Sequence, residues 1–187
     1  MSENNWNGAL LDQIEEHWHG QLRPRLEGLT DEEYVWEPVP GWNVRPRGSG
    51  VAAVQGGSGE MTIDFEFPEP EPTPFTTIAW RLGHVIVGVL AVRNASHFGR
   101  EPTDYFSHPY AATAAGALRQ LDAEYAAWIA GVRGLGEDGL DRPCGPTEGP
   151  YADRRLSALV LHINRELIHH GAEIALLRDL WAHHLTA

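Results

Sequence analysis

The chain has 187 residues, 42% of them apolar and 9% aromatic, which suits one globular domain with enough length to bury a sizeable core. Fourteen basic against 26 acidic side chains leave a net charge of −12, which disfavours a nucleic-acid partner or an anionic membrane surface. The lone Cys144 excludes an internal disulfide, the N-terminus lacks a signal-peptide pattern, and the longest apolar stretch, 82–92, falls well short of the ~20 residues of a membrane span. A cytoplasmic protein is expected. All fourteen basic residues are arginine, a bias that high-G+C bacterial genomes produce.

Leu10, Leu11, Ile14, Trp18, Leu22 and Leu26 recur at three- and four-residue steps and predict a first helix over about 5–27, with Pro24 as its weak point. Thr30-Asp31-Glu32-Glu33 reads as a capped short turn. The prolines and glycine of residues 36–42 force a non-helical connector, whose two tryptophans are expected to pack over one end of the core. A Gly/Pro-rich insertion follows at about 45–74. Its glycine-rich first part is expected to be mobile, and the alternation in Met61-Thr62-Ile63-Asp64-Phe65 predicts a strand with one buried face, in a small hairpin turning at Gly56-Gly57. Pro68 to Pro74 reads as a stiff extended spacer.

Thr76 or Thr77 is the expected N-cap of a second helix running to about Phe98, apolar nearly all round and therefore central to a bundle or turned toward a partner subunit. A third helix is expected over about 111–132, ended by Gly131, Gly134, Gly136 and Gly139, and a last helix from an Asp153 cap to about His183. Four helices with inserted loops make a four-helix bundle, a single all-α domain over 1–187.

The segment His162 to Glu173 on the last helix carries the chemistry. His170 falls inside the apolar arc of Leu159, Ile163, Leu167, Ile174 and Leu177, with Glu166 on its edge. A buried imidazole and carboxylate are costly unless paired with each other or bound to a cation, and residues four apart project to one side of a helix. Glu166 and His170 are thus candidate ligands of one divalent ion, with His84 of the second helix as the third and Gly88 leaving space beside it. Three protein ligands with an open position describe a catalytic rather than a structural site. His162, one turn before Glu166, is placed to hydrogen-bond to it. His17, His19, His169, His183 and His184 read as solvated, Cys144 as an inert loop thiol, and Arg155 and Arg165 as surface ion pairs able to meet an anionic substrate.

Three stretches together, 29–42, Thr76 to His84 and His162 to Glu173, resemble the DinB/YfiT-like metal-binding bundles, in particular actinobacterial members related to mycothiol-dependent maleylpyruvate isomerase. The resemblance implies an up-down-down-up bundle whose crossover is the 99–110 link. It also implies a ligand set of His84, Glu166 and His170. Zinc is the expected ion, with nickel, manganese or cobalt as alternatives, and mycothiol is the expected cosubstrate of an S-transfer to a small electrophile. That isomerase has a further C-terminal domain without a counterpart in this sequence, which sets its particular reaction aside. A metal-dependent hydrolase, or a non-catalytic dimeric binding protein, is the alternative. A homodimer acting on a small molecule is expected.

Overall fold

A computed structural model describes residues 5–184. Four long helices, at residues 6–25, 78–98, Ala114–Leu140 and Leu156–His184, supply most of one continuous core. The first packs on the third and the last, and the second also packs on both. Apolar residues spaced three and four apart fill the space between them, with Trp128, Leu82, Leu121, Ile163 and Leu167 fully buried.

The second helix is covered within the chain: Val85, Ile86, Val87, Val89, Leu90 and Ala91 are all buried. Thr77 caps it by accepting the Trp80 amide, and Gly99, at φ +70°, ends it in the left-handed conformation that glycine tolerates. Both this helix and the first contain a π turn, at Val85–Ala91 and Trp18–Leu22. In each, the amide that follows the turn reaches five residues back, Val92 to Val87 and Arg23 to Trp18. The first π turn ends just before Pro24, so the proline that lacks an amide enters only the final helical turn.

The third helix runs further than expected. Gly136 leaves helical geometry at φ +60°, yet helix resumes to Leu140, because Leu140 is buried in the core and Glu137 accepts the Asn7 amide at 2.8 Å. The glycines interrupt this helix rather than end it. The last helix starts at Leu156, three residues after the expected Asp153 cap.

The insertion is a small sheet rather than a mobile loop. β2 (Val44–Pro46), β3 (Val54–Gly56) and β4 (Met61–Phe65) form an antiparallel sheet ordered β2-β4-β3, with Gly56 opposite Ile63, while β1 (Gly41–Trp42) pairs in parallel with β5 (Phe75–Thr76). Asp64 explains the order. Its buried carboxylate accepts the amides of Asn43, Val51 and Ala52 and the Arg45 guanidinium, which ties the 43–45 and 51–52 segments to one strand. For the same reason β4 does not bury one face only, since Thr62 and Asp64 are as buried as Ile63. Trp42 packs near Trp80, and Trp36 meets Trp181, so the two connector tryptophans anchor at different places.

Among the described residues no helix is long and apolar enough to cross a membrane. One buried ion pair fastens the short helix Asp31–Tyr34 to the last helix: Arg178 donates to both oxygens of Glu33, at 2.7 and 3.1 Å. Glu33 is 3% exposed, so removing its partner leaves a buried charge, at a cost of about 3–5 kcal/mol.

Candidate metal centre

His84 and His170 come from the second and last helices, and their rings meet edge to face with centroids 4.6 Å apart. Glu166, one turn before His170, brings Oε2 to 3.6 Å from His170 Nε2. His84 and Glu166 line one cavity of about 390 Å³ with Gly88, Arg93, Tyr105 and His162. The structure therefore gathers the three residues singled out by spacing and resemblance at one place between two helices.

Each imidazole is held by its other nitrogen. The Tyr105 hydroxyl lies 2.6 Å from His84 Nδ1, and Trp80 stacks on the His84 ring at 5.5 Å and 9°. Burial first, then the nearby His170, lowers the His84 pKa to about 4, so at neutral pH this ring is an uncharged base. In the tautomer whose Nδ1–H donates to Tyr105, the lone pair is on Nε2. On His170, Nδ1 lies 2.7 Å from Glu173 Oε2, leaving Nε2 on the Glu166 side. A carboxylate or hydroxyl that fixes the far nitrogen of an imidazole is the usual support of a metal-ligating histidine. Burial works against ionisation of Glu166, but hydrogen bonds from Arg165 and the charges of His162 and His170 outweigh it, and its pKa is lowered. Two imidazoles and one carboxylate suit a divalent cation in donor type.

Tyr105 reaches the site from the 99–113 connector, and two features position it. Phe65 of β4 stacks on its ring at 5.7 Å, and Gly88 makes room for its hydroxyl, with which any side-chain carbon at 88 would collide. Trp80 in turn donates from Nε1 to the Asp64 carbonyl at 2.8 Å. The insertion thus braces the His84 environment through β4.

A second group of donors shares His170. The ligand atoms of His169, His170 and Glu173 lie within 4.8 Å of one another. This group faces outward, with the His169 side chain 61% exposed, and Glu173 is already ion-paired with Arg81. His169, expected to be solvated, is exposed but also lies 3.3 Å from Glu173.

His162 lies 3.4 Å from Glu166, as its spacing implies, and 2.6 Å from Arg165. His17 differs from expectation, because its Nε2 is buried without a hydrogen-bond partner against the last helix near Gly171. Cys144 stays out of the cavity: its buried thiol donates to the Arg155 carbonyl at 3.4 Å. Arg155 pairs with Asp141 at the surface. Glu173 and Arg81 went unassigned in the sequence although their spacing, three residues after His170 and three before His84, places them beside those ligands. Tyr105 had no such signal.

Comparison with curated proteins and with solved structures finds no match. The sequence profile of the DinB superfamily, in contrast, matches residues 13–174, from the first helix through His170 and Glu173. With that match over most of its length, the chain belongs to the DinB superfamily.

Proposed function

We propose that the protein is a metal-dependent enzyme of the DinB type, in which His84, Glu166 and His170 hold one divalent ion, zinc first among the candidates. Its reaction is read as the transfer of a low-molecular-weight thiol, mycothiol, to a small electrophile. The observation that carries this reading is how the two imidazoles are held: Tyr105 and Glu173 occupy the Nδ1 atoms, which leaves both Nε2 atoms without those partners, and that of His170 faces Glu166. A divalent cation bound there supplies positive charge that lowers the pKa of a thiol and favours its thiolate.

The chain's own residues do the rest. Trp80 and Tyr105 fix the His84 ring, Glu173 fixes His170, and the Arg81 pair holds Glu173 in place. The cavity of about 390 Å³ admits a small molecule, with Arg93 and His162 lining it. We further read the chain path as up-down-down-up, with the connector that carries Tyr105 as the crossover.

The test is elemental analysis of untagged protein together with thiol consumption against 1-chloro-2,4-dinitrobenzene. About one equivalent of metal and mycothiol-dependent turnover, both lost in a folded His170→Ala variant, are expected. Unchanged metal content in that variant would overturn the ligand assignment. Metal-loaded protein that consumes no thiol would overturn the transfer chemistry.

A further inference from the structure

Beside the His84 cavity, and sharing Arg93 and His162 with it, lies a second hollow of about 400 Å³. One of its walls is apolar, built from Tyr151, Ala158, Leu159 and Leu161, with the large side chains of Tyr151 and Leu161 left exposed. Cys144 adds a neutral surface, since burial raises its thiol pKa.

The lining also includes three guanidinium groups, Arg93, Arg154 and Arg165, in a chain whose net charge is −12. They are not equivalent. Arg93 is paired with Glu148 at 3.4 Å, and Glu148 also meets His97 at 3.0 Å. Arg165 leans on Glu166 and His162. Arg154 rests over the Tyr151 ring, 5.2 Å from its centroid, and among the described residues no carboxylate pairs with it. Arg154, with no carboxylate partner among the described residues and with two other guanidinium groups lining the same hollow, is placed to meet an anion from outside.

We propose that this hollow is a subsite for a small organic monocarboxylate with an apolar body. The carboxylate meets Arg154, and the body lies against Tyr151, Leu159 and Leu161. The far end points past Arg93 and His162 toward His84 and Glu166. Glu148 and Glu166 stand at the two ends and disfavour a second negative charge, which favours a monocarboxylate over a phosphate monoester. Binding stands on the hollow alone, and only its service to a reaction at His84 rests on the function proposed above.

The probe is hexanoate, compared with neutral hexanamide by isothermal titration calorimetry on the full chain, before and after treatment with EDTA. Wild type is expected to bind hexanoate at least about tenfold more tightly than hexanamide, the discrimination given by a charge-assisted hydrogen bond. Arg154→Gln should erase that preference. Leu161→Glu, a change at an exposed position, should weaken hexanoate more than hexanamide. Chelation and His170→Ala should leave hexanoate affinity unchanged. Equal binding of the two probes, no binding of either, or an Arg154→Gln variant that keeps the preference would overturn the proposal. So would a preference that vanishes with EDTA and survives Arg154→Gln, because the carboxylate would then sit on the metal ligands. Intact hexanoate binding in a protein that loads no metal would support the subsite while contradicting the metal centre.

Discussion

The two ring nitrogens of His170 face two different groups of donors, and the contrast between them decides where a cation belongs. On the Nδ1 side stand half-buried Glu173 and exposed His169, close together, with Glu173 already ion-paired to Arg81. Nε2 looks toward Glu166, where His84 arrives from another helix and a cavity opens. Proximity favours the outer group, since its three ligand atoms lie within 4.8 Å. The state of the carboxylate oxygens favours the inner one, because Arg165 holds only Oε1 of Glu166 and leaves Oε2 toward His170, whereas Oε2 of Glu173 is already shared between Arg81 and His170 Nδ1. A cluster of ligating side chains is therefore read by which donors are already committed, and Glu173 is committed as the support of His170.

Substitutions that separate the two groups should show this. Changing His84 or Glu166 to alanine removes an inner ligand, and metal content after dialysis should fall to background in both. Glu173→Gln keeps a hydrogen-bond acceptor for His170 but weakens the support, and metal affinity measured by competition with a chelator should fall about 10–100-fold. Gly88→Ala should shift the Tyr105 hydroxyl off His84 and cost about tenfold in the same assay. Its melting temperature should fall as well, since the new methyl meets both the Tyr105 hydroxyl and the ring carbon behind it, and that ring is stacked on Phe65. His169→Ala should leave metal affinity unchanged, and a loss as large as that of Glu166→Ala would assign the ion to the outer group. Cys144 gives the smallest effect of all. Burial raises its pKa, so at pH 7–8 less of it is thiolate than in a free cysteine, and iodoacetamide should label native protein much more slowly than unfolded protein.

The sequence carried the helices and the donors on them because both follow a period. Leu159, Ile163, Leu167, Ile174 and Leu177 define the buried face of the last helix, and the same wheel puts His170 on it. Thr77 and Gly99 mark the ends of the second helix by chemistry that is local in the chain. Glu173 was within reach of the same argument. What had no local signal came from tertiary packing. Tyr105 reaches His84 from a connector, and Asp64 turns a glycine-rich stretch into an ordered sheet by collecting amides from segments distant in sequence. The run of Gly134, Gly136 and Gly139 misled for a related reason, since burial of Leu140 keeps the chain helical beyond a break that local propensity would make an end. No sequence period could show that Arg154 lacks a carboxylate, which depends on where every acid in its neighbourhood has gone.

The central claim is the position of one ion, and anomalous diffraction at the zinc edge from crystals grown with zinc reads that position directly. The account predicts one strong peak bounded by His84, Glu166 and His170, with Glu173 hydrogen-bonded behind His170. A peak among His169, His170 and Glu173 with none at His84 would contradict it.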